Sequence, residues 1–334
     1  MVYNNFITND KINICFHKSC IDGLFSAIII LECMSDKTNY YDKYNLIPLS
    51  PTEITRRTKK IQELENQKKI ILDLPHFGTN VLYYFDHHIS NRQTTLTSKI
   101  SGLLDISAAS TCSVLKTYFN IPQYSDLLPM IEIADIIDQA KFNTPPPEPG
   151  TITLTTMDDL IWACNDLVKD IRDEKELIEL VESFNKEDLQ NWIQANKIHI
   201  MNYRKRRQET LDIKKELTLA PIIIIRNEKR NLQAEGLHFS LATEDPGYKM
   251  LILIDRSNKN TKNQQKRYKV SFRLNPKLDQ SEMDFLRVDK IARELGGGGH
   301  KGAASATLHN IVTQYTKIRT WVDSLGLQYS EYNL

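Results

Sequence analysis

The sequence predicts an α/β protein of two domains: an N-terminal, mainly parallel sheet flanked by helices, a long linker helix, and a smaller C-terminal α/β domain. Three observations predict it. Over the first third of the chain, short apolar runs of strand length alternate with helix-period stretches, as in a parallel sheet. After a long polar helical segment, strand-like runs resume. The chain has 334 residues, of which 41% are hydrophobic, enough for two cores. The expected limits are residues 1–195, a linker helix over 196–218, and residues 219–334.

Ile12 to Phe16 reads as a short buried strand and Asp22 to Met34 as the helix after it. Strand-like runs follow at Tyr44 to Leu49, Lys69 to Leu74 and Val81 to Phe85, with a charged helical stretch from Glu53 to Glu65 between the first two. From Ala108 to Trp192 the pattern is helical, interrupted by a proline-rich surface loop at Pro145 to Pro149. Glu187 to Leu217 reads as one long polar helix. Beyond it, Pro221 to Arg226, Lys249 to Asp255 and Tyr268 to Leu274 are strand-like. A helix over Val288 to Leu295, four glycines and a small-residue strand from Ala303 to Leu308 complete the second domain.

Lys+Arg total 43 against 42 Asp+Glu, a net charge of +1, which excludes a coat for long nucleic acids but suits a nucleotide or short oligonucleotide. The apolar run Leu24 to Leu31 is too short to span a bilayer and has neither the basic start nor the cleavage site of a secretory signal, so no membrane association and a cytoplasmic location are expected. Five cysteines, odd in number and irregularly spaced, fit reduced thiols rather than a disulfide framework.

Acids and histidines fall at the strand ends: His17 and Asp22 after the first run, Asp73 after Lys69 to Leu72, and Asp86, His87 and His88 after Val81 to Phe85. In a parallel sheet these emerge at one edge, where ligands bind. Mixed carboxylates and imidazoles suit Mn2+ and also hold Zn2+, Fe2+, Co2+ or Mg2+. One or two such ions would activate a water and neutralise a phosphate. Three polar groups directly at a strand end are costly unless partnered, and a metal supplies the partner. Isolated histidines such as His76, His199 and His309 carry no such signal.

The segments HKSCIDGLFSA (His17 to Ala27), FDHH (Phe85 to His88) and GGGGHKGAAS (Gly296 to Ser305) together resemble the signature motifs of the DHH phosphoesterases and of their associated C-terminal domain. The resemblance is to the compact two-domain members that act on nanoRNA, phosphoadenosine phosphate and dinucleotides. It implies that Asp73 is a bridging carboxylate, that His87 is a metal ligand and that His88 touches metal or substrate phosphate. Asp86 would orient the histidines, so that His88 and Asp86 form the catalytic pair.

His17 and Asp22 match the first motif, and Asp135 in IADIID matches the next acidic ligand, with Asp138 one turn on as the alternative. One departure stands out: Cys20 occupies the place of a carboxylate. A thiolate there would favour zinc or iron or leave the position weakly filled; an uncharged packed thiol is the other reading.

The resemblance further implies a metal-activated water attacking phosphorus. Substrate would be held by Gly297, Gly298, Gly299 and His300, with Arg273 and Asn275 on the strand ending SFRLN as added candidates. The basic run Arg204 to Arg207 reads as a solvated helical face, with an oligonucleotide backbone as the sharper alternative.

The function that follows is hydrolysis of phosphodiester or phosphomonoester bonds in short oligonucleotides, dinucleotides or bisphosphorylated nucleosides. A pyrophosphatase or polyphosphatase is a second reading, and a non-catalytic nucleotide-binding regulator with a degenerate metal site a third. Oligomeric state, including a homodimer, is left open.

Overall fold

A computed structural model describes residues 11–34, 43–88, 91, 100–147, 150, 152–171, 173–184, 188–228, 232, 237–238, 240–242, 245–256 and 268–334. The chain divides into two compact units, Met1–Gln139 with Ile152–Ile200, and Ala140–Thr151 with Met201–Leu334.

The first unit is built on a sheet of five strands, β1 (Ile12–His17), β2 (Tyr44–Leu49), β3 (Lys69–Leu72), β4 (Val81–Asp86) and β5 (Ser101–Leu104), in the order β2-β1-β3-β4-β5. Every pairing in it is parallel, so all the strands end at one edge. β3 lies at the centre and is buried along its whole length, which is why its run of apolar residues does not alternate. It begins with Lys69, whose ammonium donates to the carbonyls of Glu65 (3.0 Å) and Thr79 (2.5 Å).

Helix α1 (Ile21–Met34) is buried from Ile21 to Leu31 because it is covered by the sheet on one side and by other helices on the other. The opposite sheet face carries a core of Cys15, Ile71 and Tyr84 packed by α2 (Pro51–Thr55) and α3 (Lys59–Leu64). One charged helix was expected over Glu53 to Glu65. Two form instead, because Arg57 takes a left-handed φ of 46°. β5, on the edge and half-exposed, had no alternating pattern to betray it.

Next come α4 (Thr111–Phe119), α5 (Leu128–Asp138), α6 (Met157–Asp170), α7 (Glu174–Ser183) and α8 (Leu189–Ala195). The long helix expected over Glu187 to Leu217 is broken at Asn196, whose side-chain amide donates to the Trp192 carbonyl and caps α8 before α9 (Lys197–Ile213) begins. Glu187 itself lies outside the described residues. The basic run is only partly a solvated face, with Lys205 exposed. Arg204 and Arg207 are each only 1% exposed, and Arg207 donates to the Pro147 carbonyl at 3.0 Å. A run of charges in sequence carries no sign of a proline-loop carbonyl waiting to accept it.

The second unit contains a six-stranded mixed sheet of β6 (Ile222–Asn227), β7 (Met250–Arg256), β8 (Tyr268–Leu274), β9 (Gly298–Gly299), β10 (Ala303–Leu308) and β11 (Tyr329–Asn333), ordered β11-β6-β7-β8-β10-β9. Ile222 and Ile224 face a core shared with α11 (Val288–Glu294) and α12 (Ile311–Ser324), while Ile223 and Ile225 face a second core on the other side. This sheet is therefore covered on both faces. A short helix, α10 (Gln280–Leu286), precedes α11; neither it, α12 nor β11 was anticipated.

Candidate metal centre

Three strand ends and two helix termini build the site. His17 closes β1, and Cys20 stands just before α1, with its carbonyl accepting the Leu24 N–H at 3.1 Å. The turn between them needs Ser19 at a φ of 61°. It also needs Gly23, where an added Cβ would sit 2.3 Å from the His17 carbonyl oxygen. Glycine thus lets the first turn of α1 close onto the strand end, which delivers Asp22 into the interior.

Asp22 is fully buried, and its carboxylate accepts the backbone N–H groups of Thr111 (2.8 Å) and Cys112 (2.9 Å) at the start of α4. A helix N-terminus is a natural seat for a carboxylate. Burial nevertheless pushes the Asp22 carboxyl well above its ordinary range, and the charges of Asp73 and Asp138 push the same way.

Asp73 follows β3 with a φ of 55°, a left-handed backbone that aspartate tolerates better than most residues, and its N–H donates to the Phe85 carbonyl. Its two oxygens face different neighbours. Oδ2 lies 3.1 Å from Nδ1 of His17, whereas Oδ1 lies 3.4 Å from Nδ1 of His88 and 4.0 Å from Nε2 of His87.

Asp86 sits behind the histidines. Its Oδ1 accepts the N–H groups of His87 and His88 and lies 2.9 Å from Nδ1 of the His88 ring; its Oδ2 accepts from Tyr84 and Asn91. Burial opposes the charge on Asp86, but the His88 ring and the other donors hold it below the usual carboxylate range. Burial likewise opposes a charged His88, yet Asp86, Asp73 and Asp138 raise its pKa to about 10.

The last ligand from the sequence divides between two candidates one turn apart. The structure brings Asp138, the final residue of α5, to within 3.3 Å of His87 Nε2. Asp135 does not reach the cluster: its carboxylate accepts the hydroxyls of Ser110 (2.5 Å) and Ser113 (2.8 Å), which belong to the N-terminus of α4. Three residues along a helix rotate a side chain by about 300°, so both acids fall on one broad face and only the neighbouring serines separate them. Ser110 and Ser113, unnoticed in the sequence, were the available signal.

Donor atoms around one cation at bond lengths of about 2.0–2.2 Å lie about 3–4 Å apart. His87 Nε2 is 3.7 Å from Asp22 Oδ2, 4.0 Å from Asp73 Oδ1 and 3.3 Å from Asp138 Oδ2. Such donors form three overlapping groups, His17–Cys20–Asp73, Asp73–His87–His88 and Asp22–His87–Asp138, with the ligand atoms in each within 4.8 Å of one another. Packing this many buried acids together is costly without a cation, so the donor set fits one or two divalent metals.

The second unit treats its candidate residues differently. Asn275 is buried, its amide donating to the Tyr248 carbonyl and its oxygen accepting the Lys277 N–H, while its side chain borders a cavity of about 300 Å³ lined also by Lys249, Lys277 and Glu282. Its hydrogen bonds are thus committed to the local backbone. Arg273 is half-buried and donates to the carbonyls of Phe272 and Ala304. A Cβ on Gly297 or Gly299 would sit 2.1 or 2.5 Å from a carbonyl of the β10 segment, so these two glycines allow close strand approach, whereas Gly298 has open space beside it. His300 is exposed and closes a turn with Ala303.

No protein-family model and no curated protein sequence matches the chain. Solved structures do. The pGpG-specific phosphodiesterase PggH from Vibrio cholerae superposes with a TM-score of 0.61 at 16% identity, covering 95% of this chain and 99% of that one. The DHH domain of a member of a ribosomal-protein family superposes with a TM-score of 0.59 at 10% identity, covering 95% and 87%. The chain has the DHH fold. In that DHH fold the clustered side chains lie beyond the carboxyl ends of parallel strands, where such sheets bind ligands. Among the described residues, no helix is long and apolar enough to cross a membrane.

Proposed function

We propose that this protein is a metal-dependent phosphoesterase acting on short oligonucleotides, dinucleotides or bisphosphorylated nucleosides. One observation carries the reading: Asp22, Asp73, His87 and Asp138 converge, mostly buried, at one edge of a DHH-fold sheet. A linear dinucleotide such as pGpG is the first substrate to try, because PggH, whose fold this chain shares over nearly its whole length, is specific for it.

Asp22, Asp73, His87 and Asp138 would hold one cation, with manganese the favoured ion there, and His17, Cys20 and Asp73 a second. A divalent cation bound there lowers the pKa of a coordinated water and neutralises phosphoryl charge. The chain's own residues do the rest. Asp86 fixes the two histidines through their backbone and ring N–H groups. His88, its pKa raised by Asp86, Asp73 and Asp138, would be protonated on both ring nitrogens, one facing Asp86, and so present positive charge to a phosphoryl oxygen. Within the second unit, His300 and the glycine segment would suit an anionic group, as the family resemblance implies.

The test is a panel of pGpG, pApA, cyclic di-AMP, phosphoadenosine phosphate, a short single strand and pyrophosphate, assayed with manganese, cobalt, zinc and magnesium. Turnover of a dinucleotide or nucleotide that disappears in Asp73→Asn is expected. Binding without turnover under every metal would sink the hydrolase and leave a regulator.

A further inference from the structure

The two metal positions share Asp73 but differ in kind. Around Asp22, His87 and Asp138 the donors are carboxylate oxygens and one imidazole; around His17 the third donor is sulfur. Cys20 is placed by its backbone rather than by accident. The left-handed turn at Ser19 and the close approach allowed by Gly23 set it at the start of α1, where the Gly23 N–H donates to Sγ. Burial and the neighbouring Asp73, Asp138 and Asp22 outweigh that single donor and push the Cys20 thiol well above its ordinary range, so a bound cation, not the turn, would draw the proton off. Cys20 and His17 are only half-buried, so an ion can reach them from solvent, unlike the fully buried Asp22. Cys15, Cys112 and Cys164 lie in the core and Cys33 at the far end of α1.

Resting on the metal-centre reading above, we infer that His17, Cys20 and Asp73 form a thiophilic metal position that selects Zn2+, Co2+ or Fe2+ over Mn2+, beside an oxygen-rich position that does not. Thiolate ligands prefer softer, later divalent ions, while carboxylates accept manganese and magnesium. On binding, the Cys20 S–H bond breaks, a sulfur–metal bond forms and the proton leaves to solvent, with no change of oxidation state. The enzyme would then run with two unlike ions, or lose the ion at Cys20 when manganese alone is supplied.

Cobalt reports the ligand directly, because sulfur bound to Co2+ gives a near-ultraviolet charge-transfer band that oxygen and nitrogen ligands do not. The full-length protein is stripped of metal and titrated with Co2+, with bound ion counted by equilibrium dialysis. The wild type should show the band. Cys20→Ser, which keeps an oxygen to accept the Gly23 N–H, should bind cobalt without it. Cys20→Asp should also lack it and shift the competition between Zn2+ and Mn2+ by about tenfold toward manganese.

Cobalt bound to wild type with no band, or a band that survives in Cys20→Ser, would overturn the assignment while leaving the phosphoesterase reading intact. Failure to bind cobalt or manganese at all would take both down together.

Discussion

The two sides of Asp73 make an instructive contrast. Toward Asp22, His87 and Asp138 the donors are buried and held by a helix N-terminus, a strand end and a helix C-terminus. Toward His17 and Cys20 they are half-exposed, at the end of β1 and just past the turn that follows it. One position is built for fixed, oxygen-rich coordination and the other for access and a softer ion. What unites them is a single carboxylate at the end of the central strand.

Breaking that shared carboxylate should have the largest effect. Asp73→Asn keeps the left-handed backbone and is expected to lower kcat by about 1,000-fold or more, since both positions lose a ligand. Dialysis should show weaker retention of both ions; near-normal turnover would mean that Asp73 bridges nothing.

The contrast sharpens on α5. Asp138→Asn should cost about 100-fold in activity, whereas Asp135→Asn, which loosens only the serine clamp on the α4 N-terminus, should cost about tenfold. Rates for the pair, with circular dichroism to confirm folding, decide it. Equal losses would erase the distinction drawn between the two acids.

Protons give a third handle. Asp22 has a folded pKa raised above the unfolded value of about 4, so the stability it lends the metal-free protein declines as pH rises from there through its folded pKa. His88, raised to about 10, contributes fully below about pH 6.5 and loses that contribution as pH approaches 10. Metal-free protein should therefore melt at progressively lower temperature from pH 7 to about 10. A bound cation favours the ionised form of a carboxyl held above its ordinary range, so manganese affinity should rise with pH and the calorimetric binding enthalpy should depend on the buffer's ionisation enthalpy. An enthalpy identical in two unlike buffers would contradict the upward push on the Asp22 carboxyl.

The smallest effect on catalysis is expected in the second unit. Asn275→Ala strands the Tyr248 carbonyl and should destabilise by about 1–3 kcal/mol, read as a lower Tm, while KM changes less than about twofold. A large rise in KM with unchanged Tm would return Asn275 to the substrate.

Much of this site could be read from the sequence because it lies at strand ends. The largely apolar runs before His17, Asp73 and Asp86 announce buried parallel strands, and the polar residues just past them had to share an edge. Helices gave less away. Asp135 and Asp138 differ only in which neighbours meet them, and those neighbours, Ser110 and Ser113, lie more than 20 residues upstream. Arg204 and Arg207 misled for the same reason: burial of a guanidinium depends on a distant acceptor, for Arg207 the Pro147 carbonyl. Asn275 sat beside a promising arginine, but whether its amide faces a ligand or its own backbone is decided by the fold of the Tyr248 segment.

The placement of Asp73 behind β3 also determines how the molecule should respond to losing its cations. β3 is hydrogen-bonded on both sides and wholly buried, so its amides should be among the slowest to exchange with deuterium, loaded or not. Of the other ligands, His17 and His87 stand at further strand ends of that sheet, while Asp22 and Asp138 hang from the first turn of α1 and the last turn of α5. Stripping the ions should leave the sheet's protection pattern untouched and quicken exchange at those helix ends, so that the centre assembles by helices settling onto an anvil that is already there.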